Sequence, residues 1–523
     1  MKDWKWIGIC LLCGVLFSCS EDLGNYDYHE LTEPEITGVE ARMSVLTFER
    51  LQLTPDLGSH DFSAERYGFE WKAVATDGSD EVTVLGTARE LDYEVRLPEG
   101  MYKLYFTVTE KSSGVYWQQN YDLQVSQATS EGWMVLCSDG GRARLDMVSV
   151  VTGRTYFDVL KDNGMPVLNG PRRIQHLSAE LAPSGSPFYL LTDDGATRLG
   201  KNGFEWKEEY RVFYEMGNGA EPFPYEIVYM PNGFKVMVSG TDLYFAALDI
   251  GLYGFPVNKD FRVAPKVGCN VSTKGIMYGV ALLYDMDHKQ LVGYCPGLGS
   301  DFFGNLESLY ELNEFGEIAD DFAKAGRIKT GVIGEAFDRF PEGLDYVYME
   351  STKYDPGNGK MGITYTVLAD GDRRYVYGIQ LGDMLTYMDC SAVLGKAYYG
   401  DISGCTGITG VTDLFAFSSL KNYMYYAVGG TVYRVDLSGQ PLRAEKQFTL
   451  PGETITCLKF NLYRGNKYAE RIYDLVVGSV KGNEGLLRVY DGSDLDGDFK
   501  GKTPELYQGF APIVDVEFRE LTN

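Results

Sequence analysis

The 523-residue sequence contains only four histidines, His29, His60, His176 and His288. It has no Gly-x-Ser-x-Gly elbow, His-Glu-x-x-His pair, Walker motif or Gly-x-Gly-x-x-Gly turn after a strand. A Ser–His–Asp triad would need His176 or His288, because the other two fall in an N-terminal tether and in a loop. We therefore assign no catalytic residue and no metal ligand, and we expect no cofactor. An enzyme stays open as an alternative, since carboxylates, Tyr and Arg can act without these motifs.

Basic residues are also scarce. Lys and Arg number 48 against 74 Asp and Glu, which gives a net charge of −26 and a pI near 4.6. The positive surface that binds nucleic acid is absent, and attraction to anionic lipid is not expected. We predict no nucleic-acid partner, and we interpret the acidity as favouring solubility outside the cell.

Cysteines occur without any Cys-x-x-Cys pair, so a thiolate zinc site is not predicted. Removal of an N-terminal signal and lipidation of one cysteine would leave six of the nine cysteines: Cys137, Cys269, Cys295, Cys390, Cys405 and Cys457. Several lie in apolar strand patterns, where cysteine acts as a small buried hydrophobe. We expect mostly buried free thiols, with Cys390–Cys405 as one possible bridge.

The apolar run at the N-terminus, residues 7–17, is shorter than the roughly 20 residues needed to span a bilayer. With Lys2 and Lys5 before it, the run is typical of a signal peptide. Leu16-Phe17-Ser18-Cys19 forms a lipobox, which predicts a signal at 1–18, lipidation of Cys19 and a tether at 19–34. Two or more acyl chains, at about 0.8 kcal/mol per buried CH₂, would anchor the protein stably. The alternative is an ordinary cleaved signal with a chance cysteine.

Residues 35–128 predict a β-sandwich. Tyrosine (38) and glycine (61) are abundant, which favours short strands joined by tight turns. Period-two alternation with intervening turn signals occurs at 51–53, 69–73, 91–95, 100–109 and 121–125. Trp71, on a middle strand, is the predicted plug between the two sheets.

Residues 129–523 predict a β-propeller. Seven pairs of alternating strands, each joined by a tight turn, recur about every 55 residues, which is the size of a propeller blade. The predicted hairpins pair 133–137 with 142–145, 188–191 with 196–199, 236–238 with 243–248, 280–284 with 290–294, 363–368 with 375–381, 423–428 with 432–437, and 474–477 with 486–489. Six or eight blades, or two further sandwiches, are the alternatives. Only 306–312 and 317–325 have a helical pattern.

Several polar groups of the propeller region have a functional and a plain interpretation. Arg172-Arg173 or Arg373-Arg374 could bind a ligand carboxylate, and solvation at a strand edge is their simpler role. Packing between blades is the simpler role of a set of tyrosines that could stack on a ligand: Tyr346, Tyr348, Tyr354, Tyr423, Tyr425 and Tyr426. Asp193-Asp194, Asp285/Asp287 and Asp320-Asp321 fit turns. Asp494, Asp496 and Asp498 alternate like Ca²⁺ ligands, and Glu505 is at the twelfth position from Asp494. Phe499, however, occupies the position where an EF-hand loop needs glycine, which favours a polar turn.

Two short motifs resemble those of known proteins. Ser20-Glu21-Asp22 resembles the surface-export signal of Bacteroidota lipoproteins. The alternating run at 100–109 resembles the penultimate strand of PKD domains, although their Trp-x-Phe-Gly-Asp-Gly signature is missing. With Gly24-Asn25-Tyr26-Asp27-Tyr28 after the lipidated cysteine, the chain resembles PKD-like family lipoproteins of Bacteroidota.

The resemblance implies a surface-exposed, outer-membrane lipoprotein that touches the membrane only through its lipid. It also implies a non-catalytic accessory subunit of a SusC/SusD-like, TonB-dependent uptake complex that binds glycan or oligopeptide. The alternative is a surface propeller hydrolase or lyase that acts on polysaccharide or peptide. It would use a cluster of Asp, Glu, Tyr and Arg with His176 or His288 in a central depression. We expect the propeller to carry any small-ligand site, the chain 129–523 to fold alone, and the sandwich to act as a spacer. The ligand-binding residues and the ligand class stay open.

Overall fold

The structure, a computed structural model, describes residues 32–79, 81–176, 188–200, 203–230, 234–247, 251–258, 261–269, 281–294, 309–311, 336–337, 341–356, 362–381, 394–462 and 466–520. These residues form two compact units. The first comprises 32–43, 52–93 and 102–122, and the second comprises 44–51, 94–101 and 123–520. The second unit therefore includes two short segments from within the N-terminal quarter of the chain.

The N-terminal quarter folds as the predicted sandwich. Its strands are β1 (Arg42–Leu46), β2 (Arg50–Leu53), β3 (Tyr67–Ala75), β4 (Val82–Gly86), β5 (Leu91–Glu94), β6 (Gly100–Glu110) and β7 (Tyr116–Ser126). One sheet has the order β1-β7-β6-β3-β4, and the other pairs β2 with β5. Alternate residues of β3 and β6 are buried, as period two requires. Trp71 is fully buried, its ring 4.4 Å from that of Phe106, and its indole N–H donates to the Arg89 carbonyl.

The regular secondary structure in the described remainder of the chain is almost entirely strand. Its strands are β8 (Gly132–Asp139), β9 (Arg142–Ser149), β10 (Thr155–Tyr156), β11 (Pro171–His176), β12 (Phe188–Thr192), β13 (Gly195–Leu199), β14 (Pro224–Met230), β15 (Phe234–Ser239), β16 (Asp242–Ala247), β17 (Gly268–Cys269), β18 (Ala281–Asp285), β19 (Gln290–Tyr294), β20 (Leu309–Glu311), β21 (Asp345–Ser351), β22 (Thr364–Asp370), β23 (Arg373–Leu381), β24 (Leu394–Asp401), β25 (Phe415–Phe417), β26 (Tyr423–Val428), β27 (Thr431–Asp436), β28 (Ala444–Thr449), β29 (Thr454–Phe460), β30 (Leu475–Lys481), β31 (Glu484–Tyr490), β32 (Glu505–Phe510) and β33 (Ile513–Arg519).

The strands β8–β33 form seven antiparallel sheets, the blades of a β-propeller, counted over the described residues. Blades 1 to 6 are β11–β13, β14–β16, β17–β20, β21–β24, β25–β28 and β29–β32 in chain order. Blade 7 joins the last strand to three early ones in the order β10-β9-β8-β33, which closes the ring. All seven predicted hairpins are present, one in each blade.

Neighbouring blades are held together by apolar cores. Adjacent residues of one strand point to opposite faces of a sheet, so each face of a blade can pack on a different neighbour. In β26, for example, Tyr425 packs with blade 6 and Tyr426 packs with blade 4. Seven such clusters join blades 1–2, 2–3, 3–4, 4–5, 5–6, 6–7 and 7–1. The strands are therefore apolar on both faces, and the clusters form a closed ring.

Helical structure is sparse in the described part of the chain. It consists of 3₁₀ segments at Glu208–Tyr210, Val212–Glu215, Ile408–Gly410 and Asn466–Tyr473. Of the two stretches with a helical pattern, 306–312 contains the strand β20, so a helix there is wrong, and 317–325 lies outside the described residues. No described helix has the length and apolar character needed to cross a membrane.

Candidate functional site

A cavity of about 570 Å³ lies where the innermost strands of the seven blades meet. Every blade contributes, through β11, β14, the segment at β17, β21, the segment at β25, β29 and β33. These strands have one free edge each, because their other edge pairs with the next strand of the same blade. Their unpaired backbone N–H groups therefore need acceptors other than a neighbouring strand.

Three carboxylates of the cavity supply such acceptors. Glu226 accepts a hydrogen bond from the Val267 N–H at 2.6 Å, which links blades 2 and 3. Asp515 accepts from the Ile174 N–H at 3.1 Å, which links blades 7 and 1. In each case one carboxylate oxygen accepts from the backbone of the neighbouring blade, and the other oxygen has a second partner. Asp515 Oδ1 also accepts from the Val516 N–H at 2.9 Å.

For Glu226 and Asp515 the second partner is a cation of the chain. The Arg173 guanidinium lies 2.6 Å from Glu226 Oε1. Lys459 lies 3.2 Å from Asp515 Oδ1 and 3.0 Å from Glu517 Oε2. Burial by itself lowers the pKa of Lys459, but the charges of Asp515 and Glu517 outweigh it and raise this pKa. Lys459 therefore stays charged.

Glu350 repeats the arrangement without a cation. Its Oε2 accepts from the Phe417 N–H at 3.2 Å and from the Tyr348 hydroxyl at 3.3 Å. Its Oε1 accepts no hydrogen bond from the described residues, and no Lys, Arg or His of that part of the chain lies within ion-pair distance. Burial raises the pKa of Glu350 to about 7, although the charge of Lys266 and the two hydrogen bonds act in the opposite direction.

Lys266 is the matching cation without a carboxylate. Its ammonium lies 4.3 Å from the centre of the Tyr348 ring, in a cation–π contact. It forms no hydrogen bond or ion pair with the described residues. Burial, together with the charge of Arg173, lowers the pKa of Lys266 to about 8. Lys266 and Glu350 are thus opposite charges that both contact Tyr348, one over its ring and the other at its hydroxyl. The pKa of each is shifted toward neutral pH.

Arg172 and His176 also line the cavity. Arg172 donates to Asp193 at 2.5 Å and stacks on the ring of Phe223 at 4.0 Å, while its buried Nη1 has no partner among the described residues. The His176 ring stacks on Phe188 and contacts the Phe518 carbonyl through Nδ1. The Arg172-Arg173 pair therefore lies at the cavity, as one of the two interpretations of the sequence proposed.

Other sequence candidates lie away from the cavity. Arg373 pairs with Asp401, and Arg374 donates to backbone carbonyls, both at the turn side of blade 4. His288 contacts Asp285 in the β18–β19 turn at 2.6 Å, so the structure does not bring His176 and His288 together.

The tyrosine set mostly packs between blades, as the simpler interpretation held. Tyr425 and Tyr426 are fully buried, and Tyr348 lines the cavity. Tyr346 is part of the packing between blades 3 and 4, while Tyr354 and Tyr423 pack against inter-blade cores.

The acidic pairs form turns where they are described. Asp285 accepts from the backbone N–H groups of Asp287 and His288, and Asp194 accepts from Asn169. Asp320-Asp321 lies outside the described residues.

The loop after β31 is held by lysines. Lys502 pairs with Asp494, and Lys500 pairs with Asp498. Among the described residues, no group of three or more His, Cys, Asp or Glu side chains is placed to hold a metal ion.

The described cysteines Cys137, Cys269, Cys405 and Cys457 are buried and form no disulfide, which agrees with the sequence interpretation. Because Cys405 is free, the possible bridge to Cys390 is not formed. Cys295, Cys390 and the predicted lipidation site Cys19 lie outside the described residues.

The N-terminal part of the chain matches a known protein family. Residues 19–171 match the PKD-like family. The PKD-like match spans the sandwich and continues through β8, β9 and β10 to the start of β11. The comparison with curated proteins finds no match.

Among solved structures, a quinonprotein alcohol dehydrogenase-like protein from Bacteroides thetaiotaomicron VPI-5482 is similar over 94% of this chain and 100% of its own, at 12% identity and a TM-score of 0.53. At this identity the similarity concerns the fold alone. The dihydro-heme d1 dehydrogenase NirN covers 74% of this chain and 75% of its own at 12% identity, with a TM-score of 0.37. PorZ of the Porphyromonas gingivalis type-IX secretion system covers 73% and 46% at 11% identity, with a TM-score of 0.29. Because both of these TM-scores are below 0.5, neither similarity supports a conclusion about this chain.

Sequence reasoning missed the residues that define the cavity chemistry. Lys266 and Glu350 were not singled out, nor were Lys459, Glu226 and Asp515. A usable signal existed, because Glu350 follows Tyr348-Met349 and Lys459 lies between Leu458 and Phe460. A charged residue inside a short apolar strand that precedes a recognised hairpin marks the inner strand of a blade and points to its cavity.

Proposed function

We propose that this protein is a surface-exposed, outer-membrane lipoprotein that binds nutrient as a non-catalytic accessory subunit of a SusC/SusD-like uptake complex. The lipobox at Cys19 supports the lipid anchor, and Ser20-Glu21-Asp22 supports export to the outer face. The PKD-like match over residues 19–171 supports the kinship with such lipoproteins.

The observation that carries the binding role is the cavity on which all seven blades converge. Its volume of about 570 Å³ lies in the range of small-molecule sites. Two of its charged groups, Lys266 and Glu350, are unpaired within the described chain. Both residues are partly buried. Partly buried charges without partners cost stability, so their presence favours a role in binding over a role in folding.

The accessory role is tested by purifying the full chain, with a C-terminal tag, from its native outer membrane in mild detergent. We expect a TonB-dependent barrel and its lid lipoprotein to co-purify. The Cys19→Ala variant should lose membrane attachment and both partners, whereas Cys405→Ala should retain them. Repeated recovery of the wild-type protein alone would contradict the accessory role.

A surface hydrolase or lyase is the second candidate, because Glu350 and Lys266 both titrate near neutral pH, as acid–base groups do. It is tested by incubating the protein with host and dietary glycans and with peptide pools. An enzyme would release products that the Glu350→Gln variant does not, while Glu484→Gln, an exposed turn variant, would remain active. No product after days at high protein concentration removes this candidate.

A further inference from the structure

We propose that the cavity binds a small zwitterion, an amino acid or a short peptide, with its carboxylate on Lys266 and its ammonium on Glu350. This inference rests on the binding role proposed above and names its ligand class. The observation behind it is that three similar carboxylates of one cavity differ in whether the chain supplies a cation to them.

The three carboxylates Glu226, Asp515 and Glu350 each accept a backbone N–H from the neighbouring blade. The first two use their other oxygen for Arg173 and Lys459. Glu350 Oε1 has no such cation among the described residues. An ammonium from a ligand would complete the third arrangement in the same way that Arg173 and Lys459 complete the first two.

Lys266 supplies the opposite pole. The remaining cations that line the cavity, Arg172, Arg173 and Lys459, already have carboxylate partners. Lys266 has only the face of Tyr348. Three ammonium donors are therefore available for a ligand carboxylate, over the face of the ring whose hydroxyl binds Glu350.

Tyr348 sets the spacing of the two poles. Its ring supports Lys266 and its hydroxyl donates to Glu350, so the charges are held apart and do not pair with each other. The cavity lining also includes the apolar residues Val267 and Met349. A ligand with two charged ends and an aliphatic body matches this pattern of polar and apolar surface.

A neutral ligand would match it poorly. Filling the cavity removes water from Lys266 and Glu350, and a buried charge that loses water without gaining a partner is costly. A neutral oligosaccharide offers hydroxyl groups but no charge to either pole. A uronate-bearing sugar offers a carboxylate to Lys266 but no cation to Glu350. A zwitterion satisfies both.

The test is titration calorimetry of the full chain with three probes: trialanine, N-acetyl-trialanine amide, in which both charges are blocked, and maltotriose. Trialanine should bind, and the blocked peptide and the sugar should bind at least about tenfold more weakly. Lys266→Met and Glu350→Gln should each weaken trialanine binding by about tenfold or more. The exposed controls Lys446→Met and Glu484→Gln should bind it like the wild type.

The opposite results overturn the ligand class. Equal binding of the blocked peptide, or maltotriose binding that both cavity variants retain, would leave the binding role in place and refute the zwitterion. No binding of trialanine at millimolar concentration would refute it as well. The accessory role is judged separately by co-purification with the transporter, which does not depend on the ligand class.

Discussion

Among single residues, Glu350 shows most clearly that a charged group in the cavity lowers the free energy of unfolding. Its carboxylate has two hydrogen bonds but no ion pair within the described chain. A carboxyl whose pKa is higher in the folded state than in the unfolded state stabilises the fold only while it is protonated. This contribution is complete below about pH 4.5 and is lost as the pH rises through about 7.

The Glu350→Gln substitution should therefore stabilise the full chain at pH 8, by about 1–3 kcal/mol, and change little at pH 4.5. The amide oxygen can still accept the Phe417 N–H, so the link between blades 4 and 5 is kept. Urea unfolding at the two pH values measures the effect. Glu484→Gln, at an exposed turn, should show no gain at either pH, and a loss of stability in Glu350→Gln at pH 8 would contradict the argument.

Trp71 is the corresponding residue of the sandwich core. It is fully buried between strands, packs on Phe106 and satisfies its indole N–H at Arg89. Trp71→Ala should cost about 3–5 kcal/mol, because it removes a large ring and leaves a cavity. Hydrogen exchange of β3 and β6 should rise in this variant. Tyr116→Ala, at a side chain that is 65% exposed, should leave exchange unchanged, and equal effects would refute Trp71 as the core plug.

Among the elements, β33 has the most demanding role, because it closes the ring by pairing with β8. Phe518 of this strand packs edge-on against Trp133 of β8 at 4.9 Å and against Tyr468 at 4.8 Å. Both Phe518 and Trp133 are 1% exposed. The last strand of the sequence is therefore part of the core between blades 6 and 7.

The Phe518→Ala substitution should lower propeller stability by about 3–5 kcal/mol and broaden thermal unfolding, because it loosens the closing sheet. Differential scanning calorimetry of the full chain measures this. The control is Phe255→Ala, which removes the same ring from a position that is 68% exposed. Similar melting curves for the two variants would show that ring closure does not depend on this contact.

The hairpin strands and the inner strands of the blades differ in how well the sequence predicts them. Each predicted hairpin has alternating strands and a short turn, which contains Gly in all but the β18–β19 hairpin, so all seven were predicted. The inner strands have no such turn, since each is reached by a loop from the preceding blade. β17 is only two residues long, and β25 only three. The strands that carry the cavity are thus those with the weakest local pattern.

For the whole molecule, the second compact unit includes residues 44–51 and 94–101 in addition to the blades. Within that unit, Leu46 and Phe48 pack against the core between blades 7 and 1, and the Phe48 ring lies 5.6 Å from that of Tyr156. The Arg96 guanidinium lies over the Phe48 ring, 4.7 Å from its centre. A chain that begins at residue 129 lacks Leu46, Phe48 and Arg96.

The truncated chain 129–523 should therefore fold with a lower melting temperature than the propeller transition of the full chain. It should keep the trialanine affinity, since every residue that lines the cavity lies between Arg172 and Glu517. Phe48→Ala in the full chain should reproduce part of the loss, about 1–3 kcal/mol for a half-buried ring. Equal melting temperatures of the truncated and full chains would contradict this assignment of the two segments.

The amino-acid sequence was enough to predict an all-β chain, a sandwich around Trp71 and seven blade hairpins, because period-two burial and turn residues are local properties. It also predicted that the tyrosines would pack between blades. Only the tertiary structure placed Lys266, from the segment before β17, and Glu350 of β21 against the same tyrosine, Tyr348, and paired every other cavity cation with a carboxylate. Ring closure brings together strands that are distant along the chain, and the partners of a charge across a ring leave no periodic trace in the sequence.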